Sequence, residues 1–143
     1  MLNKTTDLKQ AYILDREREM LVKKKEKMQE LLTDLSHNRT ARGYAACVET
    51  AAKIGEYESE IDSKICEIVN KRIEIEKIIA SVPNDIHREV LERRYLLYQP
   101  WETYFDREKQ AEVSGIADEM NYSVRQIFRF HKAALESLGK IIN

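Results

Sequence analysis

The segment Ile116–Leu135, IADEMNYSVRQIFRFHKAAL, carries the strongest pattern in the chain and predicts a short helix, a tight turn and a second helix. Asn121 suits the end of the first helix, because asparagine tolerates the left-handed backbone that a tight turn requires. Ser123 can then cap the second helix by accepting a hydrogen bond from a main-chain N–H of its first turn.

The predicted second helix has one apolar face and one basic face. Apolar residues recur three and four positions apart and indicate a buried stripe: Ile127, Phe130 or His131, Ala134, Leu135 and Leu138. The opposite face carries Arg125, Gln126, Arg129 and Lys132. With the small Ala117 in the first helix and Ile127 as an anchor in the second, this layout is typical of a helix-turn-helix. An ordinary helical pair with a solvated basic face has the same pattern and stays open as an alternative.

A helix-turn-helix places its second helix in the major groove of DNA. Val124, Arg125 and Gln126 are then expected near base edges, while Arg129 and Lys132 are expected at phosphates. The candidate DNA-binding residues are Ser123, Val124, Arg125, Gln126, Arg129 and Lys132.

Two segments resemble the DNA-binding region 4 of sigma-70-type factors: LERRYLLYQPWE (Leu91–Glu102) and MNYSVRQIFRFHKAAL (Met120–Leu135). They are more similar still to small sigma-like regulators encoded by phages and integrated elements of Gram-positive bacteria. The matching features are Arg94-Tyr95, Trp101-Glu102, Ile116-Ala117 and the run Asn121–Leu135. The resemblance covers about the last third of the chain, and it implies a DNA-binding transcriptional regulator that contacts RNA polymerase.

The chain departs from that family in two ways. It lacks a recognisable sigma region 2, so a complete sigma factor is not expected. In the family the Trp-Glu pair lies only a few residues before the Ile-Ala pair, whereas residues 103–114, TYFDREKQAEVS, intervene here. This insertion either extends the preceding helix or forms a separate lobe.

Composition favours long amphipathic helices over sheets. Charged residues make up 34% of the 143 residues and aromatic residues 8%, with four Gly and two Pro. The formal net charge of −1 does not suit a generally basic nucleic-acid coat. Local charge differs, since residues 123–143 carry a net +3 and residues 99–122 a net −4. A DNA contact is therefore expected to be confined to the second helix.

Two long helices with heptad seams are predicted before the helix-turn-helix. Thr5 or Thr6 can cap the first, from about residue 7 to 35, with the seam Leu14, Arg18, Leu21, Lys25, Met28, Leu32 and Leu35. The second runs from about residue 45 to 82, with the seam Ile54, Ile61, Ile65, Ile68, Arg72, Ile75, Ile79 and Val82. Residues 36–43 between them predict a loop, in which Arg39 and Arg42 are candidates for contacting DNA or a partner.

The charges of the two long helices favour pairing. Residues 1–43 carry a net +3 and residues 44–82 a net −3, and the short loop makes the pair antiparallel. A second copy of the chain can add to this hairpin and give a homodimer.

The segment after the hairpin begins with Pro83, which ends the second long helix. Asn84 or Asp85 can cap a third helix, residues 86–98, and Pro100 ends it. Trp101, Tyr104 and Phe105 are expected to pack as an aromatic cluster or to form a partner-binding patch.

The predicted fold is all-α: an antiparallel coiled-coil hairpin in residues 1–82, then a sigma region 4-like helix-turn-helix domain in residues 83–143. No membrane span or signal peptide is expected, so the prediction is a cytoplasmic protein with Cys47 and Cys66 as free thiols. No catalytic motif occurs, and neither enzyme activity nor a cofactor or metal is expected. His131 is expected beside the buried face of its helix or at a phosphate.

The leading functional hypothesis is a sequence-specific DNA-binding regulator of a phage or integrated element, with residues 123–138 as recognition helix. One alternative is a coiled-coil protein-interaction module whose partner is RNA polymerase or a phage protein. Another is a DNA-packaging recognition subunit of a phage, which also combines a helix-turn-helix with a coiled coil.

Overall fold

The computed structural model describes residues 4–37 and 41–142. Most of these residues are helical, in agreement with the predicted class, and one two-stranded antiparallel sheet is the exception. The helices are α1 (Lys4–Ser36), α2 (Ala41–Ala80), α3 (Asp85–Leu91), a π-helical segment (Glu92–Leu96), α4 (Ile116–Met120) and α5 (Val124–Ile142). The strands are β1 (Tyr104–Asp106) and β2 (Ala111–Val113).

The chain forms two compact units. The two-helix unit is Leu14–Lys71 and holds the greater part of α1 and α2. The mixed unit combines the residues before Leu14 with those from Arg72 onward, and it holds α3, the π-helical segment, both strands, α4 and α5. The functional boundary between residues 82 and 83 stays a prediction.

Every buried residue described in the two-helix unit belongs to a predicted seam. Leu14, Ile54, Ile61 and Ile68 are buried, and the other seam residues of this unit are half-buried: Arg18, Leu21, Lys25, Met28, Leu32, Leu35 and Ile65. Lys25 Nζ donates to Asp62 Oδ1 at 2.7 Å, and Gln29 Nε2 donates to Glu58 Oε1 at 2.7 Å. A later residue of α1 is thus paired with an earlier residue of α2, which is the order of helices running in opposite directions.

The second long helix begins earlier than predicted. α1 ends at Ser36, His37 lies in a turn, and α2 begins at Ala41 rather than near residue 45. The high helix propensity of alanine at positions 41, 45 and 46 accounts for the earlier start. Arg39 lies outside the described residues, and so does the side chain of Arg42, so their predicted contacts stay untested.

The core of the mixed unit lies where α3 packs on α5 and α4 closes one end. Four side chains form its centre: Val90, Ile116, Ala117 and Ile127. Asn84 caps α3 as expected, since its side-chain oxygen accepts hydrogen bonds from the N–H groups of Ile86 and His87 at 3.0 and 3.1 Å. This cap and the core contact together fix the position of α3 against α5.

The third helix does not continue to residue 98 as an α-helix. After Leu91 it widens into the π-helical segment, and Tyr98 has a left-handed backbone with φ of 58°. Arg72 Nη2 donates to the carbonyl of Leu96 at 3.1 Å, and Arg94 Nη1 donates to the carbonyl of Gln99 at 3.0 Å. The side chain of Arg72, from a distant part of the chain, thus satisfies a main-chain carbonyl at the end of the segment, and helical periodicity does not reveal such a contact.

The insertion at residues 103–114 forms a β-hairpin and not an extension of the third helix. Tyr104 pairs with Val113, Phe105 with Glu112 and Asp106 with Ala111. At the turn, Asp106 Oδ1 accepts hydrogen bonds from the N–H groups of Glu108 and Lys109 at 3.0 and 3.3 Å. Aromatic and β-branched residues in the strands and an aspartate at the turn are the residue types that such hairpins use.

Gly115 joins the β-hairpin to α4 at a point of close main-chain contact. A Cβ atom there would lie 2.3 Å from the carbonyl carbon of Glu102 and 2.4 Å from the nitrogen of Thr103. The N–H of Gly115 donates to Thr103 Oγ1 at 2.9 Å. Glycine is therefore required here for space, since its φ of −94° is ordinary for any residue.

Candidate nucleic-acid interface

The turn between α4 and α5 is built as the sequence predicts. Asn121 ends α4 with φ 60° and ψ 43°, in the left-handed region. The N–H of Tyr122 donates to the carbonyl of Ala117 at 3.0 Å, a bond that closes a helix end of this type. The start of α4 is held too, because Ile116 N–H donates to Pro100 O at 2.9 Å and Ala117 N–H to Trp101 O at 3.2 Å.

Ser123 and Gln126 form a reciprocal cap at the N-terminus of α5. The N–H of Gln126 donates to Ser123 Oγ at 3.2 Å, and the N–H of Ser123 donates to Gln126 Oε1 at 3.0 Å. This is a capping box, in which two otherwise unpaired main-chain donors are satisfied by side chains three residues apart. The cap role of Ser123 was predicted from the sequence, whereas the part played by Gln126 was not.

The buried face of α5 sets the rotation of the helix about its axis. Ile127, Ala134 and Leu138 are buried, and Phe130, His131 and Leu135 are half-buried. Ile127 belongs to the core centre with Val90 and Ile116. Because this stripe is fixed in the core, the side chains half a turn away are directed outward.

Three exposed cations lie on the outward face of α5: Arg125, Arg129 and Lys132. Their spacing of four and then three residues places them in one row about 10 Å long. Among the described residues none of the three takes part in an ion pair. Glu136, four residues after Lys132, is exposed on the same face and ends the basic row. The row is therefore an uncompensated strip of positive charge on the N-terminal half of α5.

The six predicted DNA-binding residues thus have different surroundings. Arg125, Arg129 and Lys132 are exposed together, as expected for groups that reach a nucleic acid. Val124 is partly buried against the core centre, so only part of its side chain is accessible. Ser123 and Gln126 are exposed but engaged in the cap, and the carboxamide oxygen of Gln126 points back at Ser123. In this conformation the amide nitrogen of Gln126 is the group that can donate a hydrogen bond to an acceptor outside the protein.

Trp101 packs on α5 rather than on its neighbours in sequence. Its ring lies 5.1 Å from that of Phe128 and 4.9 Å from that of His131, both edge to face. Tyr104 and Phe105 are 50% and 59% exposed on the β-hairpin, so the cluster predicted from Trp101, Tyr104 and Phe105 does not form. Tyr104 and Phe105 belong to β1, which pairs with β2, and both side chains stay exposed there.

Phe128 lies at the border of the basic row. Its side chain is 47% exposed and touches Trp101 with one edge. It is neither a core residue nor a fully outward one. A partly exposed ring beside Arg125 and Lys132 adds an apolar contact surface to the cationic strip.

His131 faces inward and is held by Tyr95. The Tyr95 hydroxyl lies 2.7 Å from His131 Nε2, and the two rings are stacked at 5.8 Å. Burial lowers the pKa of His131, and the positive charge of Arg94 lowers it further. The imidazole is therefore neutral at pH 7 and adds no charge to the row. Of the two predicted locations, the one beside the buried face of α5 is correct.

Arg93 is a positioning residue that the sequence did not reveal. Its guanidinium pairs with Glu89 at 2.9 Å and also with Glu119 of α4. Hydrogen bonds from Gln99 and Arg93 lower the pKa of Glu119. The π-helical segment is thereby fastened to α4, which helps to fix the angle between α4 and α5.

Comparison with protein-family models, with curated proteins and with solved structures gives no match to this chain. None of the helices described is long and apolar enough to cross a membrane. Within residues 4–37 and 41–142, no group of three or more His, Cys, Asp or Glu side chains is arranged to hold a metal ion.

Proposed function

We propose that the protein binds double-stranded DNA through α5 and acts as a transcriptional regulator of a phage or integrated element. In this proposal α4, the turn at Asn121 and α5 are a helix-turn-helix, and the N-terminal half of α5 enters the major groove. The observation that carries the proposal is a row of exposed cations on the outward face of α5, with no ion-pair partner among the described residues: Arg125, Arg129 and Lys132.

The geometry of α5 supports a division of labour along the row. Arg125 lies in the first turn, where a recognition helix meets base edges, and an arginine there can donate two hydrogen bonds to guanine. Arg129 and Lys132 lie one and two turns further on, where phosphates are closer. Because the cap occupies part of Gln126, Arg125 takes the leading part in reading sequence.

Charge around α5 supports binding that is local rather than general. The preceding segment, residues 99–122, carries a net −4 and includes the exposed Glu102, Glu108 and Glu112. Acidic surface repels DNA approached in other orientations. The resemblance to sigma region 4 supports the same function and makes RNA polymerase a second candidate partner.

The test is fluorescence-anisotropy binding to DNA fragments from around the protein's own gene, at about 50 and about 200 mM salt. We expect saturable binding that Arg125→Ala/Arg129→Ala weakens about tenfold or more, because two charge-assisted hydrogen bonds are lost. The salt dependence, as a slope of log affinity against log salt, should fall by about 1, because Arg129 is the residue of this pair that contacts a phosphate. Lys23→Ala/Lys27→Ala removes the same charge from exposed positions of α1 and should leave binding unchanged.

Single variants separate base reading from phosphate contact. Arg129→Ala should weaken binding to cognate and scrambled DNA alike, whereas Arg125→Ala should weaken the cognate complex much more. Equal losses on both DNAs for both variants would contradict the assignment of Arg125 to base edges. Absence of any binding by the folded wild-type protein would refute the proposed function.

A second role, in protein interaction, is favoured by the two-helix unit. Large apolar side chains stand exposed on it: Met20, Leu31, Val48, Tyr57 and Val69. A groove of about 430 Å³ has Met20, Leu21 and Ile68 among its lining residues, together with Glu17, Glu67 and lysines 24, 64 and 71. Both signs of charge border the same apolar floor, so the surface is complementary to a second copy of itself.

We therefore propose homodimerisation through an antiparallel coiled-coil hairpin formed by α1 and α2. Sedimentation equilibrium should give a dimer for the wild type and a monomer for Met20→Glu/Val69→Glu, which places charge on the exposed apolar surface. Lys23→Glu/Lys27→Glu is the control with acidic substitutions at positions that do not line the groove. A ring larger than a tetramer would instead favour a DNA-packaging subunit.

A further inference from the structure

A cavity of about 420 Å³ lies in the mixed unit, away from the outward face of α5. Its walls are Lys9, Tyr12 and Ile13 of α1, and Arg94, Tyr95 and Tyr98 of the π-helical segment and the residues that follow it. This volume falls in the range of about 300 to 1,000 Å³ that is typical of small-molecule sites. It is too small for a protein domain or a duplex.

The lining residues have a distinct chemistry. Three are tyrosines and two are cations, while none is a carboxylate. The rings of Tyr12 and Tyr98 lie 5.1 Å apart with an edge-to-face angle of 76°. Aromatic faces favour a planar ring, and the absence of an acidic lining residue leaves the charge of Lys9 and Arg94 available to an anion.

The wall formed by the π-helical segment is held in place before any ligand arrives. Arg94 donates to the carbonyl of Gln99 and lies 4.4 Å above the ring of Trp101. Tyr98 has a left-handed backbone, which is rare for a bulky residue and is kept only where the surroundings impose it. π-helical turns of this kind occur frequently at functional sites. A preformed wall loses little conformational entropy on binding.

We propose that this cavity binds a small planar aromatic anion, with its ring against Tyr12 and Tyr98 and its carboxylate or phosphate at Lys9 and Arg94. An aromatic carboxylate and an aromatic phosphate share the same chemistry, which is a flat ring that carries one acidic group. The site is separate from the basic row on α5 and does not depend on DNA binding.

The occupied cavity has one direct connection to α5. Tyr95 is 6% exposed, forms part of the cavity wall, and its hydroxyl meets His131 Nε2 at 2.7 Å. A ligand that touches the ring of Tyr95 therefore alters the surroundings of the His131 imidazole. His37, in the two-helix unit, has no part in this wall and serves as an internal reference.

To test the proposal, the full chain is titrated with small-molecule probes, and their binding is measured by ligand-observed NMR. Benzoate and phenyl phosphate are the two acidic aromatic probes, and their relative affinities distinguish a carboxylate site from a phosphate site. Cyclohexanecarboxylate keeps the charge without the aromatic ring, and benzyl alcohol keeps the ring without the charge. We expect saturable binding of the aromatic anions and at least about fivefold weaker binding of both controls.

Two variants locate the site. Lys9→Gln should weaken binding of the aromatic anions about two- to fivefold, whereas Lys23→Gln, at an exposed position further along α1, should not change it. Tyr12→Leu removes the ring that faces Tyr98 and should weaken binding further. Both Lys9 and Tyr12 are exposed, and circular dichroism of each variant confirms that the helical content is kept.

The imidazole proton signals of the three histidines give an independent readout. Saturating benzoate or phenyl phosphate should shift the His131 signals and leave those of His37 in place. Binding that persists unchanged in both Lys9→Gln and Tyr12→Leu would overturn the proposal, as would equal binding of all four probes. Loss of DNA binding without loss of probe binding would count only against the proposed function.

Discussion

The two units of the chain bury their apolar residues to different degrees. In the mixed unit, Val90, Leu91, Ile116 and Ile127 are all 0% exposed, because α3, α4 and α5 cover them from several sides. Among the residues of the two-helix unit whose burial is described, only Leu14 and residues of α2 are buried, while Leu21, Met28 and Leu32 of α1 stay half-buried. Two helices alone cannot enclose a core, whereas the mixed unit surrounds its central side chains with α3, α4 and α5.

Truncation of a core side chain is expected to give the largest difference between the two units in the free energy of unfolding. Ile127→Ala should lower the free energy of unfolding by about 2 to 5 kcal/mol, because it leaves a cavity in a closed core. Leu32→Ala removes a half-buried side chain of α1 and should cost about 1 kcal/mol or less in a monomer. Urea unfolding followed by circular dichroism measures both. A Leu32→Ala loss as large as that of Ile127→Ala would show that a partner already closes the seam.

Two glycines provide the next comparison. Gly115→Ala should destabilise the protein by about 1 to 3 kcal/mol, because its methyl group meets the main chain of Glu102 and Thr103. Gly55→Ala, in α2 of the two-helix unit, meets no atom within 4 Å and should stabilise by up to about 1 kcal/mol through helix propensity. Thermal unfolding of the two variants should therefore move in opposite directions. A neutral Gly115→Ala would contradict the close contact at the root of the β-hairpin.

The cap of α5 is expected to have a smaller effect. Ser123→Ala removes the acceptor for the N–H of Gln126 and should cost about 1 kcal/mol in the free energy of unfolding. Ser123→Asp keeps an acceptor at the cap and serves as the conservative control. In the two-helix unit, Ser63→Ala at an exposed position of α2 should change stability by less than about 0.5 kcal/mol. A Ser123→Ala variant as stable as Ser63→Ala would argue against the capping box.

The smallest effect is a pH dependence that arises from His131 in the mixed unit. Burial and Arg94 lower the pKa of His131, so below about pH 6.5 the unfolded chain takes up a proton that the folded chain does not. Stability should therefore fall as the pH drops through that range and level off below the folded-state pKa. His131→Gln should remove this part of the profile, measured as unfolding midpoints from pH 7.5 to 5. Identical profiles for wild type and His131→Gln would contradict the assignment.

Local patterns predicted the features that local chemistry decides. The seams of α1 and α2, the cap at Asn84, the left-handed Asn121 and the cap at Ser123 all follow from residue type and spacing. The outward direction of Arg125, Arg129 and Lys132 follows from helical periodicity once Ile127 is taken as the anchor. These features need no knowledge of distant residues.

The features that were missed depend on contacts between distant parts of the chain. The π-helical segment ends where Arg72 reaches the carbonyl of Leu96, and the lowered pKa of His131 comes from burial and from the charge of Arg94. The β-hairpin has only three residues in each strand, too few for a periodic signal, and its charged turn resembles the surface of a helix. The requirement for Gly115 is set by the main chain of residues 102 and 103, which no pattern within α4 indicates.

The close main-chain contact at Gly115 lies between the β-hairpin and α4. Hydrogen bonds and the close main-chain contact hold the root, whereas Arg107, Glu108 and Lys109 at the turn are exposed. A fluorophore attached at position 108 would therefore lie on an exposed turn, away from the close contact that precedes α4. Cys47 and Cys66 are free thiols, so they must be replaced before a single cysteine is introduced there. The turn of the β-hairpin is therefore a suitable position for a fluorescent label in binding experiments.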